Sequence, residues 1–116
     1  MEKKNIDWEN IGFGYIPTDK RFVANYKDGA WDEGALTEDP NIVMNECAGV
    51  LQYAQTVFEG MKAYTTENGH IVTFRPDLNA KRMVDSAKRL EMPPFPEDKF
   101  VDAIVQTVKA NEAYVP

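Results

Sequence analysis

The feature that most constrains the fold is an Asn68-Gly69 pair between two short apolar runs, at 61–64 and 71–74. Asn-Gly supplies the positive φ angles that a tight two-residue turn needs, so it is the strongest short-range signal for a β-hairpin. Directly after the second run, Arg75-Pro76-Asp77 turns the chain again. We therefore expect two antiparallel strands over these runs, followed by a different kind of element.

Three helices are predicted from apolar spacing. One covers 49–60, where Val50, Tyr53, Ala54, Val57 and Phe58 recur at the spacing of a single helical face and Gly60 is a typical stop. A second runs from about 78 to 90 and ends before Pro93-Pro94. A third starts at Pro96, because proline suits the first helical turn and the two acidic residues that follow complement the helix dipole.

Further strands are predicted in the N-terminal half. Residues 22–27 read as a strand closed by the Asp28-Gly29 turn, 31–36 as the returning arm, and 41–44 as another short strand. Hairpin strands with separate helices, and no βαβ alternation, indicate an α+β domain. We expect a two-layer sandwich over 1–116, with helices packed on one face of an antiparallel sheet.

Composition excludes several classes of function. A net charge of -6 argues against a nucleic-acid binder. No apolar run suits a signal peptide or a membrane span, so we expect a cytoplasmic protein with no membrane partner. With one histidine, His70, and one cysteine, neither a metal site nor a His-based catalytic set is expected, and an internal disulfide is impossible. Cys47 is expected to be a small buried side chain.

The second predicted helix carries a polar flank beside its apolar stripe, formed by Asn79, Arg82, Ser86 and Arg89. Arginine presents a planar fork of donors that matches phosphate oxygens, so such a flank can hold an anion. The alternative is that the arginines form ordinary ion pairs with local carboxylates. Spacing alone leaves both interpretations open.

Tyr53 and Phe58 allow two interpretations as well. They can form the wall of an apolar pocket, with the tyrosine hydroxyl as a polar group, or they can simply belong to the core. Glu59 reads as a helix-end carboxylate with no role. None of the nine lysines lies in an obviously apolar segment that would suit covalent catalysis.

Four motifs, in this order, resemble the branched-chain amino-acid aminotransferases among the fold-type IV pyridoxal-phosphate enzymes. They are Asp7-Trp8 with Gly12-Phe13-Gly14-Tyr15-Ile16-Pro17-Thr18-Asp19, Trp31-Asp32-Glu33-Gly34, Leu51-Gln52-Tyr53-Ala54-Gln55-Thr56-Val57-Phe58-Glu59-Gly60-Met61-Lys62-Ala63-Tyr64, and Phe74-Arg75-Pro76-Asp77-Leu78-Asn79-Ala80-Lys81-Arg82-Met83 with Ser86-Ala87-Lys88-Arg89-Leu90. The resemblance covers nearly the whole chain.

This resemblance implies a site. The arginine that binds the cofactor phosphate corresponds to Arg82, and the aromatic wall around the substrate side chain corresponds to Tyr53 and Phe58. Gly60 corresponds to the point where the backbone passes close to that pocket. It implies pyridoxal 5'-phosphate as cofactor, an amino acid and a 2-oxo acid as substrates, and a homodimer or higher homo-oligomer at full length. The covalent lysine is expected from a second, C-terminal domain, so no catalytic residue is assigned here and the 116-residue chain alone is expected to be inactive.

Two other functions stay open at this point. The chain can be a free-standing binding or assembly module that kept the fold and lost the chemistry. It can also belong to another fold-type IV enzyme, such as a D-amino-acid aminotransferase or aminodeoxychorismate lyase.

Overall fold

A computed structural model describes residues 2–116 and has the expected α+β composition. Three two-stranded antiparallel ladders accompany two fourteen-residue helices and one short helix. The elements are β1 (Arg21–Val23), β2 (Tyr26–Lys27), β3 (Ala30–Trp31), β4 (Ala35–Thr37), α1 (Gly49–Tyr53), β5 (Ala63–Thr65), β6 (Ile71–Thr73), α2 (Pro76–Arg89) and α3 (Glu97–Ala110).

The N-terminal hairpin is present, but it is interrupted in the middle. β2 pairs with β3 around Asp28 and Gly29, which both have positive φ, and β1 pairs with β4 further out. Between the two ladders, the Asp32 carboxylate accepts the backbone N–H groups of Asn25 and Gly34, at 3.0 and 2.9 Å. These bonds replace ladder bonds at the break.

The second hairpin confirms the Asn-Gly prediction. β5 pairs with β6 in antiparallel register, with Tyr64 opposite Val72. The turn between them is closed by the Thr66 N–H donating to the His70 carbonyl at 2.7 Å, and Gly69 has a positive φ of 82°.

The two long helices are also confirmed. α2 begins at Pro76, in the first turn, where a missing N–H costs nothing. It ends in a Schellman motif, because Glu91 adopts a left-handed conformation and the N–H of Met92 donates to the Ala87 carbonyl at 2.8 Å. α3 begins after Pro96, as expected, and packs against α2.

The predicted helix over 49–60 is wrong beyond its first turn. α1 ends at Tyr53, and Ala54 has a left-handed φ of 52°. From 57 to 65 the exposure of the side chains alternates at every residue, which is the period of extended chain and not of a helix. The inward-facing positions are Val57, Glu59, Met61, Ala63 and Thr65.

Two contacts with α2 explain this extended segment. The Gln55 amide donates to the Leu90 carbonyl at the C-terminal end of α2, and the Asn79 amide, near the start of α2, donates to the Gly60 carbonyl, both at 3.0 Å. The eleven helical steps between Asn79 and Leu90 span about 17 Å. Five residues of extended chain span the same about 17 Å, whereas a helix of five residues spans only about 8 Å. The extended chain that begins at 57 is consistent with this span.

The strand predicted at 41–44 is absent, and Val43 is fully exposed. The Arg21 side chain donates to the carbonyls of Asp39 and Asn41, both at 2.6 Å, and so holds a bend where a further strand would have to start. Cys47, in the same exposed stretch, is not the buried residue that was expected.

Little of the chain is fully buried. The buried apolar residues among 2–116 are Ala80, Ala87 and Ala113, and an apolar cleft of about 490 Å³ remains between α2, α3 and the first hairpin. Aromatic side chains such as Phe13 and Phe74 are 90% exposed or more. Within the described residues, no helix is both long and apolar enough to span a membrane.

The two buried alanines of α2 differ in their surroundings, which gives a test of the packing. Ala80 is 0% exposed, whereas Ala87 borders the apolar cleft. We expect Ala80→Leu to lower the free energy of unfolding by roughly 1–3 kcal/mol, because added methylenes do not fit a filled site. Ala87→Leu should cost less, since its side chain can enter the cleft. Urea denaturation of both variants measures the order, and the reverse order would contradict this packing.

Candidate functional site

A two-point ion pair lies at the centre of the candidate site. Arg82, on α2, donates from Nε to Glu59 Oε2 at 2.8 Å and from Nη2 to Glu59 Oε1. The Glu59 side chain is 3% exposed, whereas that of Arg82 is 67% exposed. The carboxylate therefore lies beneath the guanidinium, which faces outward.

Asn79 ties the same carboxylate to the backbone of the extended segment. It lies three residues before Arg82 on α2, so the two side chains share a face of the helix. Its Nδ2 donates to Glu59 Oε1 at 2.7 Å and to the Gly60 carbonyl at 3.0 Å. One helix face thus fixes both the Glu59 side chain and the main chain at Gly60.

These contacts determine the charge of Glu59. Hydrogen bonding from Arg82, with a smaller contribution from Asn79, lowers the pKa of the Glu59 carboxyl from 4.5 to about 2, against the opposing effect of desolvation. The same pair raises the pKa of Arg82. Both groups are therefore charged at neutral pH. Because the carboxyl pKa is lowered in the folded state, its stabilising contribution is complete above about pH 4.5 and is lost as the pH falls toward 2.

The guanidinium keeps binding capacity after this pairing. Arginine has five N–H donors, and the bonds to Glu59 use two of them, so three remain. The prediction of ion pairing with a local carboxylate is thus confirmed for Arg82, but it does not exclude an anion site. An exposed guanidinium that a carboxylate holds on one edge can still present its remaining donors to phosphate oxygens.

The segment that carries Glu59 also presents Phe58 and Gly60 outward. The Phe58 side chain is 88% exposed, so the alternative that it belongs to the core is wrong. A Cβ at Gly60 would lie 3.2 Å from the Phe58 ring, which is closer than ordinary contacts, so glycine leaves the ring in its place. On this extended segment the Phe58 side chain therefore faces away from the Glu59 side chain, which bonds Asn79 and Arg82.

Tyr53 is the fourth residue predicted for the site, and it lies outside the hydrogen-bonded set of Glu59, Gly60, Asn79 and Arg82. It ends α1, and its side chain is 86% exposed, so it is not a core residue. Among residues 2–116 no hydrogen bond links Tyr53 to Arg82, Phe58 or Gly60.

Reasoning from the sequence missed the role of Glu59. The assumed helix over 49–60 made it a terminal carboxylate with no partner. The signal that identifies it is the extended period, since an acidic side chain at an inward position needs a cationic partner. Arg89 and Ser86, from the same predicted flank, have no comparable bonds among the described residues.

The lysines and acids offer no alternative centre. Of the nine lysines, only Lys20 and Lys99 are half-buried, and each has a carboxylate oxygen nearby, at 3.9 and 3.7 Å. The other seven are exposed. Within the part of the chain that the structure describes, no group of acidic, histidine or cysteine side chains has a metal-binding arrangement.

Comparison with known proteins identifies relatives over nearly the whole chain. A branched-chain-amino-acid aminotransferase of Haemophilus influenzae is 49% identical over 112 residues, which are 97% of this chain and 33% of that protein. One of Helicobacter pylori is 44% identical over the same shares. A methionine aminotransferase of Arabidopsis thaliana is 42% identical over 97% of this chain and 32% of its own length. No protein-family model matches the chain.

Over nearly its whole length, the chain is thus similar in sequence to part of these aminotransferases. The resemblance to the branched-chain amino-acid aminotransferases is confirmed by the identities of 44–49% to two bacterial members. The chain spans about a third of the length of the relatives it matches.

The ion pair predicts an unusual titration. We expect the carboxyl carbon of Glu59, followed by NMR in the folded protein, to titrate near pH 2. In Arg82→Ala the midpoint should rise toward the ordinary value of 4.5, because the largest cause of the lowering is gone while the hydrogen bond from Asn79 remains. Asp39, whose carboxyl pKa is lowered mainly by the backbone N–H of Asn41, is the internal control, and its midpoint should not respond to this substitution. An Arg82→Ala midpoint still near 2 would contradict the pairing.

Proposed function

We propose that this chain supplies the cofactor-phosphate grip and one substrate wall of a pyridoxal-phosphate-dependent branched-chain amino-acid aminotransferase. The observation that carries the proposal is the exposed guanidinium of Arg82, which bonds Glu59, the residue between Phe58 and Gly60 in the sequence. The sequence relation to enzymes of that name over 97% of the chain supports it.

Arg82 fits a phosphate by its chemistry and its exposure. Its outward guanidinium has unused donors, and phosphate oxygens are the acceptors that such a fork prefers. Pyridoxal 5'-phosphate, when bound, supplies the electron sink that makes an amino group exchangeable. The role of Arg82 is to fix one end of that molecule, so that its reactive end lies at a constant position relative to the substrate wall.

Phe58, Gly60 and Tyr53 are proposed to bind the substrate side chain. Phe58 and Tyr53 offer exposed apolar rings, and Gly60 lets the backbone approach closely. The side chains of leucine, isoleucine and valine are apolar and match such a wall. The relative named a methionine aminotransferase makes methionine the competing substrate, since its unbranched side chain is also apolar.

The remaining features of the enzyme are proposed for the protein as a whole. We propose that residues 1–116 are its N-terminal small domain and that the lysine that binds the cofactor covalently belongs to a further domain. This fits the coverage of only about a third of the relatives and the absence of a buried, unpaired lysine among residues 2–116. A homodimer or higher homo-oligomer is proposed for the complete enzyme. A cytoplasmic location stays a prediction, because plant relatives are named chloroplastic or mitochondrial.

Removing Arg82 tests the phosphate grip. In the complete protein encoded by the gene, we expect Arg82→Ala to weaken equilibrium binding of pyridoxal 5'-phosphate by about 1.5–3 kcal/mol, the typical contribution of a hydrogen bond to a charged group. Arg89→Ala removes the same charge from the same helix and should leave the affinity unchanged. Equal affinities of wild type and Arg82→Ala would refute the phosphate role.

Truncating Phe58 tests the substrate wall. We expect Phe58→Ala to lower kcat/KM for leucine. The loss should correspond to about 1.5–3 kcal/mol of transition-state stabilisation, the scale for burying an aromatic side chain. Affinity for pyridoxal 5'-phosphate should not change, because Arg82 is retained. Rates with leucine, methionine and D-alanine in the wild-type enzyme decide between the branched-chain assignment and its rivals. A rate with D-alanine above that with leucine would overturn it.

A further inference from the structure

The structure poses a question about Glu59 that the proposed function leaves unanswered. A binding site for an anion gains from positive charge, yet a carboxylate with a 3% exposed side chain lies in direct contact with Arg82. By Coulomb's law that carboxylate repels any anion that Arg82 binds. Its presence therefore needs a reason that outweighs this repulsion.

The reason lies in the geometry of the contact. The two carboxylate oxygens of Glu59 accept hydrogen bonds from Nε and Nη2 of Arg82. Two parallel bonds fix the plane of the guanidinium as well as its position. An unrestrained arginine side chain carries about 2 kcal/mol of rotamer entropy. A side chain that is already held loses less freedom when a ligand binds.

Asn79 extends this restraint to the substrate wall. Its amide group bonds Glu59 Oε1 at 2.7 Å and the Gly60 carbonyl at 3.0 Å. Arg82 and the backbone of Gly60 therefore share one hydrogen-bonded support. A shift of α2 along the extended segment would move both at once.

The geometry points to Glu59 as a positioning residue, which holds the Arg82 guanidinium for a phosphate group and, through Asn79, keeps it in register with Gly60. This inference rests on the proposed function and deepens it. Glu59 touches neither the phosphate nor the substrate, and it acts through Arg82.

Glu59→Gln separates positioning from electrostatics, because the two effects have opposite signs. The substitution removes a negative charge beside the anion site, so electrostatics alone predicts tighter phosphate binding. It also leaves a single acceptor where two held the guanidinium fork, so positioning predicts weaker binding. Orienting partners of metal ligands typically contribute roughly 10–100-fold to affinity, and we expect a loss of about tenfold, at the low end of that range.

The readout is the ratio of the dissociation constants of pyridoxal and pyridoxal 5'-phosphate, measured by equilibrium titration of the complete apoprotein. The ratio isolates the phosphate and cancels a change in the folded fraction. Glu67→Gln is the matched control, since it changes the net charge equally in the exposed turn between β5 and β6. Asn79→Ala should lower the ratio less than Glu59→Gln, because Arg82 keeps both of its bonds to Glu59.

The outcomes are distinguishable. A ratio lowered by both Arg82→Ala and Glu59→Gln, but not by Glu67→Gln, supports positioning. A ratio lowered by Arg82→Ala but unchanged or raised in Glu59→Gln overturns the positioning role and leaves the phosphate grip intact. A ratio that Arg82→Ala does not alter overturns the proposed function itself.

Discussion

The structure depends on the attachment of an extended segment along the whole of α2. Gln55 fixes its start at Leu90, and Asn79 with Arg82 fixes its end at Glu59 and Gly60. Both attachments run from side chains to a backbone carbonyl or a buried carboxylate, so they satisfy polar groups that would otherwise lack partners. An extended chain fits the span between the two attachments.

The second hairpin follows from this segment. The alternation of inward and outward side chains that begins at Val57 continues without a break through β5. Residues 57–65 therefore act as one long extended stretch whose first half is bonded to α2 and whose second half is bonded to β6. Phe58 and Tyr64 emerge on the same outward side because their positions along the extended chain differ by an even number. The candidate site and the hairpin thus lie on one extended stretch with the same alternation of inward and outward side chains.

Elements with strong local signals could be predicted from the sequence, whereas those decided by contacts far along the chain could not. The hairpin at Asn68-Gly69 and the helices α2 and α3 carry their own turn residues and helix stops. The helix predicted over 49–60 met every periodicity criterion and still ended at Tyr53. Three of its remaining residues, Gln55, Glu59 and Gly60, bond to groups 19 or more positions away, which no local pattern encodes.

The same distinction applies to the candidate site. Arg82 was found by its helix flank and by resemblance, and both are local observations. Glu59 was missed because its partner depends on the side of the chain to which its side chain points. That side follows from the extended conformation. Once the period of two is known, an acid at an inward position opposite an arginine-bearing helix is a specific signal. A wrong element therefore concealed an ion-pairing residue that the correct element reveals.

The ion pair is better explained by placement than by stability. Burying a carboxylate is costly, and the attraction to a charged partner often does little more than offset that cost. An apolar residue at position 59 would follow the alternation of Val57 and Met61 and avoid that cost. It would also leave the Arg82 side chain free to sample many rotamers above an apolar surface. A carboxylate gains little energy for the fold, but it gives the guanidinium one orientation, and a ligand site on a chain with so small a core depends on such local restraint.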